Sequence, residues 1–136
     1  MRLINNLFNI LNEALKLNYK TITLDQVNNI ILDILYILQK QGYINSFYIE
    51  NNNKCTILFN NLEFNKKSFT KIVPMSKSSK KIYVTVTDLK KIRSQDLFND
   101  YLIIKSNLTN KNVAIINIDD AIQMNIGGAL ICKIIK

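Results

Sequence analysis

The spacing of apolar residues changes along the chain, and this change constrains the fold more than any other feature of the sequence. In residues 3–16 and 25–41, large aliphatic side chains recur every three or four positions, which is the period of an amphipathic helix. From residue 43 onward, most apolar segments are short and alternate with polar residues, as strands do. A helix-rich first half followed by a mainly β second half is typical of the α+β class.

The pattern predicts two small, tightly packed domains. The first has the order αβαββ, and a further strand at residues 69–73 precedes Pro74, the only proline. Pro74 opens a connection rich in serine and lysine, so we place the boundary there. Residues 1–74 are predicted to form an N-terminal α/β domain, and residues 75–136 a C-terminal, mainly β domain with one short helix.

Single residues predict where the elements begin and end. Asp25 is a good N-cap for the second helix, and Gly42 is expected to end that helix in the left-handed conformation. A short helical turn is predicted at residues 88–93. Asp119 or Asp120 is expected to cap the short helix before the last strand.

The net charge of +8 lies in one segment. Residues 66–93 hold nine basic residues and one acid, whereas the rest of the chain holds nine of each sign. Serines stand among the lysines, and Tyr83 follows them. Such a segment in an otherwise balanced chain is the electrostatic footprint of a polyanion binder, which favours RNA as the partner. The alternative is a solvated surface with surplus lysine.

Several classes of chemistry are disfavoured by what the sequence lacks. It contains no histidine, and its three glycines cannot build a phosphate-binding or dinucleotide-binding loop. Cys55 and Cys132 have no zinc or redox spacing, so we expect them to be reduced and buried. No apolar run approaches 18 residues, so no membrane segment is expected. We predict that the protein is not an enzyme and uses no cofactor, metal or small-molecule substrate.

Three segments carry motifs that match one known family in order and spacing over nearly the whole chain. Residues 38–44 read LQKQGYI at the end of a predicted helix, residues 76–83 read SKSSKKIY, and residues 121–132 read AIQMNIGGALIC. They are similar to the family patterns Leu-Lys-x-x-Gly-Tyr/Phe-Ile, Ser-(Lys/Arg)-Pro-Gly-x-Arg-Ile-Tyr, and Gly-Gly-Glu-Ile/Leu-Leu/Ile-Cys. The chain thereby resembles small ribosomal subunit protein eight of bacteria and organelles.

The chain departs from the family pattern at several positions. The family has a Ser-Thr-Ser-x-Gly loop before the last helix, and here either Ser106 with Asn107 or residues 110–112 could replace it. Ala129 stands where the family has an acid, and Ser78 and Ser79 replace Pro-Gly. The first helix lacks the family's basic positions, so we expect the second domain and the basic connection to carry more of the RNA contact.

The resemblance implies a primary rRNA-binding protein that orders the central domain of small-subunit rRNA during assembly, with neighbouring small-subunit proteins as further partners. Lysines would neutralise phosphates, while serine and asparagine would donate hydrogen bonds. Tyr83 would either stack on a base or be buried, and the two glycines would either approach RNA or turn the chain. The residues implied in rRNA binding are Ser76, Lys77, Ser78, Ser79, Lys80, Lys81, Tyr83, Lys90, Lys91, Ser106, Asn107, Asn110, Lys111, Asn112, Gly127 and Gly128.

The location and one other function follow from composition. The chain has 23 isoleucines and 20 asparagines, an enrichment typical of AT-rich genomes. This suggests an organelle or a reduced genome. We expect a mitochondrial ribosome, and composition does not separate it from the alternatives, a plastid-type organelle or a bacterium of reduced genome. The alternative function is a non-ribosomal adaptor that binds an acidic protein partner through the basic segment.

Overall fold

The computed structural model describes residues 2–51, 54–59, 69–76, 80–105 and 115–136. In this part of the chain, helices combine with two sheets, which confirms the predicted α+β class. The contacts divide the chain into two units, residues 1–71 and residues 72–136.

The described residues of the first unit form two helices and a three-stranded sheet. In chain order its elements are α1 (Arg2–Leu17), β1 (Thr21–Leu24), α2 (Asn29–Lys40), β2 (Ser46–Ile49) and β3 (Cys55–Leu58). Strand β3 lies in the centre and pairs antiparallel with both neighbours. The apolar faces predicted from the spacing are buried, as Leu11 and Leu35 illustrate with no exposed surface.

Helix α2 begins later than predicted, because a different residue caps it. The side-chain oxygen of Asn28 accepts a hydrogen bond from the backbone amide of Ile31 at 2.9 Å. Asn28 is therefore the N-cap, and the prediction of Asp25 as the cap is wrong. An N-cap oxygen must reach an amide in the first turn, and Asn28 occupies the position from which that is possible.

The end of α2 agrees with its prediction. Gly42 has φ +82° and so adopts the left-handed conformation. Its amide donates to the carbonyl of Gln39 at 3.0 Å, and the Tyr43 amide donates to the carbonyl of Leu38 at 2.8 Å. These two bonds form the Schellman motif, which satisfies carbonyls that would otherwise lack partners at the helix end.

The second unit is built around its last strand. In chain order its elements are β4 (Lys71–Pro74), β5 (Ile82–Val84), α3 (Val86–Gln95), β6 (Asp100–Lys105), β7 (Ile115–Asn117), α4 (Ile118–Met124) and β8 (Gly128–Ile135). The sheet order is β4-β8-β6-β7, and β5 also pairs with β8. The sequence assigns strand β4 to the first half, but it pairs with β8 and therefore belongs to the second sheet. The sequence did not indicate this pairing because β8 lies far away along the chain.

One face of this sheet packs against the two helices. Leu89 of α3 and Ile118 of α4 are fully buried in one cluster with Ile103 of β6 and Leu130 of β8. Val84 of β5 packs against the same cluster. Residues that alternate with these along the strands therefore point to the opposite face.

The described residues of the second unit form two helices, where one short helix and a helical turn were predicted. The turn predicted at residues 88–93 is a ten-residue helix, α3. In α4, the side chain of Asn117 accepts from the amide of Asp120 at 3.1 Å, so Asn117 is the cap. The prediction of Asp119 or Asp120 as the cap is wrong by two or three positions. Both acids lie in the first turn, where negative charge favours the helix end.

Both cysteines are buried free thiols, as predicted. Burial raises the pKa of the Cys132 thiol far above its usual value, and burial also raises that of Cys55, with a further contribution from the charge of Glu50. None of the helices in the described residues is long and apolar enough to span a membrane. Within the same residues, no three metal-binding side chains come together.

Candidate nucleic-acid interface

The basic segment leads directly into β5 and α3. Lys80 and Lys81 are exposed just before β5, and Lys90 and Lys91 are exposed on α3. Thr85 alone separates β5 from α3, so the four lysines lie on α3 or directly before β5, on either side of this short junction in the sequence. Together with Tyr83 of β5, we call them the β5–α3 surface.

Tyr83 lies on the face of the sheet opposite the helices. It stands opposite Ala129 of β8, whereas its neighbour Val84 packs into the core. Its side chain is 70% exposed. The alternative in which Tyr83 is a buried strand residue is therefore wrong, and its ring is accessible to a partner.

A capping box sets the direction in which α3 leaves β5. The Thr85 hydroxyl accepts from the amide of Asp88 at 3.3 Å, and the Asp88 carboxylate accepts from the amide of Thr85 at 3.0 Å. These two bonds satisfy amides that would otherwise lack partners at the helix start. The bonds from Thr85 lower the pKa of Asp88, and the nearby charge of Lys91 lowers it further.

The lysines of the β5–α3 surface differ from Arg93, the last base of the segment. Among the described residues, none of the four forms an ion pair within 4.0 Å. Arg93, in contrast, places Nε 3.0 Å from Oδ1 of Asp119 and Nη2 3.2 Å from Oδ2. Its charge is thus matched within the protein, while the positive charge of the lysines remains available to an anion.

Ser76 has a structural position that the sequence did not indicate. It is only 3% exposed, and its hydroxyl donates to the carbonyl of Leu130 in β8. The same oxygen accepts from the amide of Ile82 at 3.0 Å. Ser76 therefore links β8 to the start of β5, next to Lys80 and Lys81. Little of its own surface is left for a partner.

Gly127 and Gly128 lie where backbone segments of the protein approach each other. A Cβ atom on Gly127 would lie 2.5 Å from the carbonyl oxygen of Val84, and one on Gly128 would overlap the carbonyl oxygen of Ile104. The left-handed residue at this turn is Asn125, with φ 59°, and neither glycine has a positive φ. The glycines are thus required for close packing between strands, and Asn125 makes the turn.

The remaining predicted contact residues lie outside the described residues. They are Lys77, Ser78, Ser79, Ser106, Asn107, Asn110, Lys111 and Asn112.

The loop after α3 is held by one carboxylate, which the sequence analysis did not single out. Asp96 accepts from the amides of Phe98 at 3.3 Å and Asn99 at 3.1 Å, from the Asn99 side chain at 3.1 Å and from the Tyr101 hydroxyl at 2.9 Å. The Nζ of Lys133 lies 3.4 Å from the same carboxylate. An aspartate followed three residues later by asparagine is the local signal for such a turn.

Asp96 is expected to make the stability of the protein depend on pH. The Asn99 amide, the Tyr101 hydroxyl and further donors hold its pKa well below the usual range, against a smaller opposing effect of desolvation. A lowered folded-state pKa stabilises the fold above the ordinary value of about 4, and the contribution is lost as the pH falls below it. We expect Asp96→Asn to lower the urea midpoint at pH 7, and the difference from wild type to shrink towards acid pH. A difference independent of pH would contradict this, and Asp25→Asn is the control at an exposed aspartate.

The fold and the β5–α3 surface together define a small basic α+β protein with exposed lysines on its second unit. A family model described as ribosomal protein S8 matches residues 2–135. The chain belongs to the ribosomal protein S8 family.

Individual relatives support the same assignment. The small ribosomal subunit protein uS8 of Helicobacter acinonychis (strain Sheeba) is 26% identical over 108 residues, which cover 77% of this chain and 76% of that protein. The uS8 proteins of Helicobacter pylori strains Shi470 and G27 are 25% identical over the same length.

Family membership confirms two predictions from the sequence. The chain is a structural protein of the small-subunit ribosomal type, as the three motifs indicated, and it is not an enzyme. The alternative of a non-ribosomal adaptor has no support in these similarities.

Proposed function

We propose that this protein binds small-subunit rRNA through the β5–α3 surface and orders the central domain of that RNA during assembly. One observation carries the proposal: β5, the two residues directly before it and α3 carry four exposed lysines and an exposed aromatic ring, and none of these lysines has an ion-pair partner among the described residues. Neighbouring small-subunit proteins are the further partners, as the family implies.

The chemistry of the surface suits RNA in its A-form. The major groove of an RNA helix is too narrow for side chains to read, so recognition depends on phosphates, 2′-hydroxyls and unpaired bases. Lys80, Lys81, Lys90 and Lys91 would neutralise phosphates and release counterions. Tyr83 offers a flat face on which an unpaired base can stack. The surface therefore combines affinity for the backbone with one contact that depends on an unstacked base.

Ser76 and the two glycines have indirect roles in this proposal. Ser76 bonds to both Leu130 and Ile82, and it thereby fixes the position of the backbone directly after Lys80 and Lys81. Gly127 and Gly128 allow the strands beneath Tyr83 to pack closely. Serine and asparagine in residues 77–79 and 106–112 are proposed to add hydrogen bonds to phosphate and sugar.

We infer that the ribosome in question is mitochondrial. The support is the isoleucine and asparagine enrichment, which is typical of AT-rich organelle genomes. The relatives named above are bacterial. A protein encoded in a plastid-type organelle or in a bacterium of reduced genome would have a similar composition.

Sedimentation of the native complex tests the proposal and the location together. Extracts are separated on a sucrose gradient with and without nuclease, each fraction is probed for this chain, and the rRNA of the positive fractions is sequenced. We expect the chain to move with small-subunit rRNA and to leave those fractions after nuclease treatment. The sequence of that rRNA then identifies the compartment to which the ribosome belongs. A peak free of rRNA would contradict the proposal.

Tyr83→Ala is expected to weaken binding of the rRNA fragment by about 1–3 kcal/mol, the usual value of one base stacked on an aromatic ring. The slope of log K against log salt should stay unchanged, because no charge is removed. Tyr36→Ala is the matched control, since Tyr36 is also an exposed tyrosine, on α2 of the first unit. Affinity is measured by filter binding or fluorescence anisotropy. Equal effects of the two variants would exclude a specific role for Tyr83.

A further inference from the structure

The loop between α3 and β6 exposes two large apolar side chains in sequence. Leu97 is 81% exposed and Phe98 is 66% exposed, and both lie in the short connection between Gln95 and Asp100. Single exposed apolar residues are common on protein surfaces, but adjacent ones form a patch that water solvates poorly. We call Leu97 and Phe98 the apolar knob.

The backbone around the apolar knob is held on both sides. Asp96 accepts from the amides of Phe98 and Asn99. Arg93 donates from Nη1 to the carbonyls of Asp96 at 3.1 Å and Asn99 at 2.8 Å. Bonds on both the amide and the carbonyl side of the loop hold its backbone, and this fixes the direction in which each of the two side chains leaves the backbone. A group held in this way loses little entropy when it binds.

The charges around the knob differ from those of the β5–α3 surface. Among the described residues, the cationic side chains that form ion pairs or hydrogen bonds at this loop are Arg93, which pairs with Asp119, and Lys133, which pairs with Asp96. Residues 94–101 contain two aspartates and no lysine or arginine. RNA binding draws most of its affinity from cations that neutralise phosphates, and the cationic side chains of Arg93 and Lys133 at this loop are already paired with carboxylates.

A protein partner fits the same features. The centres of protein–protein interfaces are poor in charge and rich in aromatic and large apolar side chains. Asp119 is exposed but its charge is matched by Arg93, so this ion pair adds no net charge beside the loop that Arg93 holds. The patch is therefore apolar at its centre, with paired charges of both signs on the residues that hold the loop.

We propose that Leu97 and Phe98 insert into an apolar pocket of a neighbouring protein of the ribosomal small subunit. This rests on the proposed function, because the partner is sought in the assembled particle. Asp96 and Arg93 act as positioning residues that hold the knob outward. The knob is a second contact, made of a different chemistry from the lysines that face RNA.

Site-specific cross-linking in assembled small subunits tests the proposal. Phe98 is replaced by the photoreactive analogue p-benzoyl-L-phenylalanine, subunits are purified and irradiated, and the adducts are identified by mass spectrometry and by RNA primer extension. We expect one ribosomal protein as the main adduct, through a peptide rich in apolar residues. An adduct to rRNA, an adduct within this chain, or no adduct would each overturn the proposal. The same analogue at Tyr36 is the control for random neighbours.

A pair of serine variants separates this contact from RNA binding. Leu97→Ser with Phe98→Ser should enter small subunits about tenfold less well than wild type in direct competition, as expected when two central interface residues are lost. Its affinity for the isolated rRNA fragment should stay within about twofold of wild type. The control is Leu17→Ser with Tyr19→Ser, two residues that are half exposed in the first unit.

The outcomes distinguish the knob from the proposed function. A fall in rRNA affinity equal to the fall in incorporation would assign the knob to RNA and overturn the protein contact. Incorporation equal to that of the control would overturn it as well. Failure of the wild-type chain itself to bind the rRNA fragment would instead contradict the proposed function.

Discussion

Gly128→Ala is expected to destabilise the second unit by about 3 kcal/mol or more, the cost of forcing extra volume against a fixed backbone. The added Cβ would overlap the carbonyl oxygen of Ile104 and lie 3.1 Å from Cγ2 of Ile103. Strand β6 cannot move away easily, because it pairs with β8 on one side and with β7 on the other. The effect is measured as the urea midpoint of the variant relative to wild type.

The adjacent residue supplies the control for Gly128. Ala129→Val adds two methyl groups one position further along β8, on the partly exposed face opposite the core. We expect this change to cost less than about 1 kcal/mol, since branched side chains suit strands and the site is not enclosed. Similar stability losses for the two variants would show that β8 tolerates no added volume anywhere, and the steric role of Gly128 would lose its support.

Removal of the positive charge of the β5–α3 surface should produce the largest loss of RNA binding. The variant carries alanine at Lys80, Lys81, Lys90 and Lys91. Each phosphate contact removed lowers the slope of log K against log salt by about one, so the slope should fall by about three to four. Affinity for the rRNA fragment at physiological salt should fall about 100-fold or more, because each lost contact also removes counterion release.

A charge-matched variant of the first unit makes this test specific. It carries alanine at Lys16, Lys20, Lys40 and Lys54, which are all exposed. Both variants lose the same net charge, so a general electrostatic attraction would weaken equally in the two. We expect the control to lose less than about tenfold in affinity and less than about one unit of slope. Equal losses would remove the β5–α3 surface from the proposal.

The helices and most strands could be predicted because their periodicity is local. Leu7 and Leu11 in α1, and Leu35 and Leu38 in α2, are spaced so that one face becomes apolar, and that face is buried. The end of α2 was predictable for the same reason, since Gly42 has the conformational freedom that a left-handed residue requires.

The starts of α2 and α4 could not be predicted as well, because several polar residues compete for the cap. Asp25 and Asn28 both precede α2, and only the position of the first-turn amides decides between them. At α4, Asn117 ends β7 and caps the helix at once, so the two aspartates that look like caps fall inside the first turn. Which residue caps a helix depends on differences of a few tenths of a nanometre in the position of its side chain. The spacing of residues in the sequence does not resolve so small a difference.

The membership of β4 and the burial of Ser76 depend on contacts with β8, which lies more than fifty residues away. The Met75 amide donates to the carbonyl of Ile131 at 2.8 Å, and Ser76 bonds to Leu130. Nothing in residues 71–76 indicates these partners. Pairing of distant strands is set by the whole sheet, so a serine next to lysines looks like a surface residue until the strand opposite it is known.

In the candidate site, the exposure of charged side chains could be predicted from the sequence. The orientation of aromatic and apolar side chains could not, because it depends on packing. Lysine is rarely buried, so the exposure of Lys80 and Lys90 follows from their type. Tyr83 could not be assigned to either face from the sequence, because its ring suits both. The apolar knob was missed because Leu97 and Phe98 resemble core residues, and only the bonds of Asp96 reveal why they point outward.

The two buried thiols allow the opening of the folded protein to be measured by chemical labelling. Cys55 lies in β3 of the first unit and Cys132 in β8 of the second, and neither has exposed surface in the folded chain. The thiolate is the nucleophile that attacks an alkylating reagent, so a buried thiol with a raised pKa reacts only when its surroundings open. The labelling rate of each cysteine therefore reports how often its own unit unfolds, without any added probe.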